Sequence, residues 1–161
     1  MDDEVIVEIN SDADLVTARA EARALASRLG FSRTDATLIA TALSEIARNI
    51  VVHVGRGRIT MRHVREERRY GLVAVAEDEG PGIRHLGAAL AEGNASRGGL
   101  GLGLPGARRL MDEFEVVCGS VRGTTVTMKK WRIPDELELL RQKRRGGGGA
   151  RPNPAKADPR R

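Results

Sequence analysis

The chain alternates between stretches with strand periodicity and stretches with helix periodicity. Residues 4–9 alternate polar and apolar side chains, which predicts a first strand. We expect Ser11 or Asp12 to cap the helix that follows and Gly30 to end it. The apolar residues of this helix recur at helical spacing: Leu15, Ala18, Ala22, Leu25 and Leu29.

A second, longer helix is predicted to begin at Ser32 or Thr34 and to end before Gly55. Its apolar stripe consists of Ile39, Leu43, Ile46 and Ile50. Polar side chains occur once per turn along one border of that stripe, at Glu45, Asn49 and His53. The helix therefore combines a core-facing surface with a row of polar groups beside it.

The middle and end of the chain predict two hairpins. Residues 58–64 alternate and residues 70–76 are mostly apolar, so they should pair. A turn, a short helical patch at 86–91 and a glycine loop follow, and we expect a helix from that loop to Glu113. Residues 114–118 and 124–128 then predict a closing hairpin. Helices on one face of a mostly antiparallel sheet make this an α+β two-layer sandwich.

The basic character of the chain belongs to its C-terminal tail. The 161 residues carry a net charge of +5, but residues 141–161 hold eight Lys and Arg against one Asp, so the first 140 residues carry −2. The tail also contains Gly146 to Gly149 and three prolines. We therefore predict one domain over residues 1–132 and a disordered basic tail over 133–161. A nucleic-acid function is disfavoured, because no aromatic platform accompanies the charge.

The composition indicates a protein of the cytoplasm. Cys118 is the single cysteine, so no internal disulfide can form. The acidic N-terminus does not resemble a signal peptide, and no apolar run reaches the roughly 18 residues of a membrane span. The expectation is a soluble, intracellular protein without membrane attachment.

The stretch from Gly98 to Gly106 has five glycines in nine residues and leads directly into the predicted helix. Glycine lets a ligand approach the backbone, and a helix N-terminus directs free N–H groups at it, which suits a phosphate chain. The alternative is an ordinary surface loop. Three common nucleotide loops do not fit: no buried strand precedes the G-x-G-x-x-G match, no Gly-Lys-Ser/Thr occurs, and H-R-D and D-F-G are missing.

Two further motifs carry candidate chemistry. Glu45 and Asn49 lie four residues apart on the second helix, where a carboxylate can take a proton and an amide oxygen can join a magnesium shell. Asp78-x-Gly80-x-Gly82 follows a strand, where a carboxylate can bind an exocyclic amine beside a flat ring. Each motif alone could be a solvated helix face or a simple turn. Because these two motifs and the glycine loop occur together in the chain in a fixed order, one common site explains them better than a solvated helix face or a simple turn does.

These motifs resemble the conserved boxes of a known family. Glu45-x-x-x-Asn49, Asp78-x-Gly80-x-Gly82, Gly99-x-Gly101-x-Gly103 and Gly123-Thr124-Thr125 are similar to the N, G1, G2 and final boxes of the GHKL (Bergerat-fold) ATPases. The amino-acid sequence of residues 44–49, 98–106 and 109–114 resembles that of the anti-sigma-factor serine/threonine kinases, especially the RsbT-type switch-protein kinases of the stressosome. The resemblance covers about residues 4–132.

The resemblance implies a role for each matching residue. Glu45 would be the general base, Asn49 a ligand of Mg²⁺ bridging the ATP phosphates, and Asp78 the partner of the adenine amino group, with Thr124 nearby. Gly80 and Gly82 would leave room for the ring. An ATP lid would bind phosphates through Arg97, Gly99, Leu100, Gly101, Leu102 and Gly103.

The resemblance also implies partners. The kinase would phosphorylate a STAS-domain antagonist and, once released, bind and activate a PP2C-type phosphatase in a partner-switching stress response. Two alternatives stay open: an anti-sigma kinase that binds a sigma factor directly, and a non-catalytic ATP-binding activator of a phosphatase. The cofactors expected for either kinase are ATP and Mg²⁺.

Overall fold

The computed structural model describes residues 4–80, 103–119, 123–134 and 136–146. They form five strands and four helices. The strands are β1 (Val5–Ile9), β2 (Gly57–Glu66), β3 (Arg69–Asp78), β4 (Glu113–Cys118) and β5 (Thr124–Trp131). The helices are α1 (Asp12–Arg28), α2 (Arg33–His53), α3 (Gly103–Leu110) and α4 (Glu136–Gly146).

The two long helices begin and end where their capping residues predict. Ser11 is the N-cap of α1, and its backbone N–H donates to the Asp14 carboxylate at 3.0 Å. Gly30 follows the helix with a φ of +84°, a conformation that favours glycine. Ser32 caps α2 by accepting the Asp35 backbone N–H at 3.1 Å. Of the paired alternatives, Ser11 and Ser32 are therefore the caps.

All five strands pair antiparallel, in the order β1-β2-β3-β5-β4. α1 and α2 pack on one face of the sheet, and α3 packs on α2. The core between these layers contains Ile9, Leu25, Ile39, Leu43, Ile59, Met61, Leu72 and Met128, all fully buried. The predicted α+β two-layer sandwich is confirmed.

The helix after the glycine loop is shorter than predicted. We expected it to continue to Glu113, which is wrong: α3 ends at Leu110, and Glu113 already begins β4. The reason is that the segment after Leu110 forms hydrogen bonds with β5 of the sheet. The Asp112 N–H donates to the Lys129 carbonyl at 2.9 Å, and the Asp112 carboxylate accepts the Trp131 N–H at 2.7 Å.

Part of the tail that we predicted to lack order forms α4. Its residues are strong helix formers, with Glu136 and Glu138 in the first turn and basic residues in the last, which suits the helix dipole. None of its side chains is buried, and Arg132 Nη1 contacts Glu138 Oε1 at 3.0 Å. The helix over 136–146 differs from the predicted lack of order, whereas the division into a domain over 1–132 and a tail over 133–161 stays a prediction. Residues 135 and 147–161 lie outside the described part.

Within the described ranges, no helix has the length and apolar content needed to cross a bilayer.

Candidate active site

α2 carries two of the predicted site residues on its polar border. The Glu45 side chain is 5% exposed, although carboxylates are rarely buried without a partner. Asn49 lies one turn further along and is half-buried. Glu45 and Asn49 lie beside the apolar stripe of α2 that contains Leu43 and Ile46. Because α2 packs against α3, this polar border of α2 is also covered.

The partner of the Glu45 carboxylate is the first residue of α3. The backbone N–H of Gly103 donates to Glu45 Oε2 at 3.2 Å, which joins positions 58 residues apart in the chain. Gly103 has a φ of +54° and is buried. A carboxylate in this place also faces the positive end of the α3 dipole. The last glycine of the predicted lid and the predicted general base are therefore in direct contact.

A second group of predicted site residues meets at the end of β3. Asp78 is half-buried and lies opposite Thr124 in the β3–β5 register, on the face of the sheet that the helices cover. Thr124 is 6% exposed. Asp78 Oδ1 accepts the Gly80 backbone N–H at 2.9 Å, which turns the chain sharply after the strand.

Gly80 also joins this turn to two other segments. Its carbonyl accepts the Gly123 N–H at 2.8 Å, directly before β5. A methyl group built on Gly80 would lie 2.6 Å from Cγ2 of Val54, the C-cap residue of α2. Sequence reasoning missed Val54, because an apolar residue after a helix resembles ordinary core. Gly123 has a φ of +92°, a conformation that favours glycine, so the glycine before β5 is itself a signal of this turn in the sequence.

α2 connects the two groups of residues. Glu45 contacts Gly103 near the middle of this helix, whereas Val54 contacts Gly80 at its end, and nine residues correspond to about 13 Å along a helix axis. Asn49 lies between them. A ligand with a flat polar ring near Asp78 and an anionic group near Gly103 would run along this helix.

The donor chemistry of Asn49 fits a role in holding Mg²⁺. Its amide oxygen is a ligand type that Mg²⁺ accepts, and its amide forms no hydrogen bond with another residue of the described ranges. Mg²⁺ commonly binds one or two protein oxygens and completes its shell with water and phosphate. The remaining predicted site residues lie outside the described part of the chain: Gly82, Arg97, Gly99, Leu100, Gly101 and Leu102.

Comparison with known sequences gives the family. The model of the histidine kinase-like ATPase domain matches residues 10–130. The chain belongs to this family. Within the ATPase family, the serine/threonine-protein kinase RsbT of Bacillus subtilis (strain 168) is 42% identical over 131 residues, which are 81% of this chain and 98% of that protein. The GHKL resemblance and its serine/threonine kinase class are thus confirmed.

A solved structure agrees with the fold of this ATPase domain. The crystal structure of the RsbU and RsbW domains of a Mycobacterium tuberculosis protein superimposes with a TM-score of 0.56 at 21% identity. The match covers 83% of this chain and 33% of the other, so the chain spans about a third of that structure. At this identity the match supports the fold alone.

Proposed function

We propose that this chain is an ATP-dependent protein kinase that phosphorylates a serine or threonine of a STAS-domain antagonist. Once released, it binds and activates a PP2C-type phosphatase, in a cytoplasmic partner-switching pathway. The observation that carries the proposal is the buried Glu45 carboxylate of α2, which contacts the start of α3, in a chain that is 42% identical to RsbT over 98% of the length of RsbT.

The reaction needs a base beside bound phosphate. The Glu45 carboxylate accepts the proton of the substrate hydroxyl, whose oxygen forms a bond to the γ-phosphorus while the bond from that phosphorus to the β–γ bridging oxygen breaks. ADP leaves and the partner carries the phosphate. Mg²⁺, when bound, neutralises charge on the phosphates, and Asn49 is the residue that would hold it. Backbone N–H groups at the start of α3 favour the anionic end of the nucleotide.

Release follows from charge in this proposal. Phosphorylation adds nearly two negative charges to the surface of the antagonist that faces the kinase. Because the base must reach the hydroxyl that is phosphorylated, the new phosphate would lie beside the Glu45 carboxylate, and repulsion between the two favours dissociation. The freed kinase then exposes the surface that contacts the phosphatase.

The test is transfer of radiolabelled phosphate from ATP to a co-purified STAS protein, with Glu45→Gln and Asn49→Ala as variants. We expect Glu45→Gln to lower the rate by about 10²- to 10⁴-fold, the usual contribution of a general base. The matched control is Glu115→Gln, a carboxylate that is exposed on β4. Full transfer by Glu45→Gln and by Asn49→Ala would reject both catalytic roles.

Binding assays separate the alternatives. The proposal predicts capture of a STAS protein and of a PP2C-type phosphatase by the purified chain. Capture of a sigma factor instead would identify a sigma-binding anti-sigma kinase. Nucleotide binding together with phosphatase activation, but without transfer in a single turnover, would identify a non-catalytic activator.

A further inference from the structure

Gly80 is in contact with the end of α2, and this contact has no role in the resemblance that explains the other site residues. There, the glycine would leave room for the adenine ring. In the structure, a methyl group on Gly80 would lie 2.6 Å from Cγ2 and 3.0 Å from Cγ1 of Val54, closer than such atoms pack, and 3.2 Å from Asp78 Oδ1. Protein atoms therefore already occupy the space beside Gly80.

Val54 is held firmly enough for this contact to matter. It is the C-cap residue of α2, and its backbone N–H donates to the Ile50 carbonyl at 2.9 Å. Ile50 is 3% exposed and belongs to the core. Valine also has a stiff side chain, because two heavy atoms on Cβ restrict its rotation. A clash with Val54 would therefore strain the contact between the Gly80 turn and the end of the helix.

The Gly80 turn is connected to the predicted adenine ligand. Gly80 donates its N–H to Asp78 Oδ1 at 2.9 Å and accepts the Gly123 N–H at 2.8 Å. Gly123 directly precedes Thr124, the residue opposite Asp78. A displacement of Gly80 would thus disturb the orientation of the Asp78 carboxylate and the start of β5 together.

We propose that Val54 is a positioning residue, whose contact with Gly80 fixes the Asp78 turn relative to the helix that carries Glu45 and Asn49. Gly80 is a glycine because Val54 leaves no space for a side chain. The inference rests on the proposed function for its effect on nucleotide binding, whereas the contact itself is independent of that function.

A double-mutant cycle tests the contact. The variants are Gly80→Ala, Val54→Ala and the double variant, each titrated with a fluorescent ATP analogue. We expect Gly80→Ala alone to weaken binding by about ten- to hundred-fold, which is the typical free-energy cost of overpacking converted to a change in affinity. In the Val54→Ala background both Val54 methyl groups are gone and the longer approach to Asp78 Oδ1, at 3.2 Å, remains, so the same glycine substitution should cost less than about three-fold.

Two matched controls isolate the site. Val52→Ala truncates a valine of the same helix that is 54% exposed, and Gly146→Ala adds a methyl group where no atom lies within 4 Å. Both should bind the analogue as the wild type does. Rescue by the second substitution is the decisive result, because a loss caused by anything other than the Val54 methyl groups would not be relieved by removing them.

An equal loss of affinity on Gly80→Ala in both backgrounds would overturn the proposal, because the methyl group would then be excluded by something other than Val54. An unchanged affinity of Gly80→Ala in the wild-type background would overturn it as well. The same cycle measured by urea unfolding without nucleotide reads the contact directly. If the wild type bound no ATP, the proposed function would fail, whereas coupling between the two substitutions in unfolding would still decide the contact.

Discussion

Replacing Glu45 by glutamine and by alanine separates its contact with Gly103 from its chemistry. Glutamine keeps an oxygen that can accept the Gly103 N–H, whereas alanine leaves this buried donor without a partner. An unpaired buried donor costs about 1–3 kcal/mol, and a hydrogen bond to a charged group contributes about 1.5–3 kcal/mol. We therefore expect Glu45→Ala to lower the free energy of unfolding by about 1–3 kcal/mol.

Glutamine should cost less, because only the charge and its interaction with the α3 dipole are lost, about 0.3–1 kcal/mol. For a domain of this size, each kcal/mol corresponds to a fall in Tm of roughly 3–5 °C. Thermal unfolding followed by circular dichroism should rank the proteins as wild type, glutamine variant, alanine variant. The rate of phosphate transfer should fall by about 10²- to 10⁴-fold in both variants.

The two readouts can contradict the reasoning separately. Equal Tm values for Glu45→Gln and Glu45→Ala would show that the Gly103 hydrogen bond does not hold the start of α3. Transfer that survives in the stable glutamine variant would show that the carboxylate is not the base. Glu115→Gln serves as the control in both assays, because its side chain lies on an exposed strand position away from α3.

Three further predictions concern the adenine end, the core and the sheet surface. Thr124→Val removes a buried hydroxyl opposite Asp78 and should weaken ATP binding by about two- to twelve-fold in calorimetry, the value of one neutral hydrogen bond, with little change in Tm. Leu43→Ala empties a fully buried position and should cost about 2–5 kcal/mol in urea unfolding. The hydrogen bond from Lys129 lowers the pKa of Glu66, so the stabilisation by this carboxylate is present above its ordinary pKa of 4.5 and is lost as the pH falls through its lowered value. Urea midpoints of Glu66→Gln and wild type should therefore differ at pH 7 and converge as the pH falls through the lowered pKa of Glu66; a constant difference would contradict this ion pair.

Local patterns were sufficient to predict most of the fold. Several signals act over only a few residues: the serine caps, the alternation of residues 58–64 and the glycine before β5. The helices and strands of the structure begin at or next to these residues. The end of α3 could not be predicted this way. Its next residues are compatible with a helix, and only the hydrogen bonds of Asp112 to β5, 17 and 19 residues later, end it.

The candidate site shows the same division. Glu45, Asn49 and Asp78 stand out in the sequence because polar residues occur beside apolar stripes or at strand ends. Their roles stay predictions, as do those of the lid residues. The sequence could not reveal that the Gly103 N–H meets Glu45, or that Val54 occupies the space beside Gly80, because both contacts depend on how α2 packs against segments distant in the chain.

The alignment of β5 has a consequence for anyone who would transplant this site into another scaffold. β5 is bonded to β3 on one side and to β4 on the other, and side chains alternate between the two faces, so a shift by one residue would turn Thr124 away from Asp78. The opposite end is anchored by Trp131, whose Nε1 donates to Glu113 at 2.6 Å and whose ring lies 3.9 Å from the Arg69 guanidinium carbon. A graft limited to the short glycine and aspartate motifs would leave this anchor behind. The smallest transferable unit is the complete ribbon of β3, β5 and β4 together with α2.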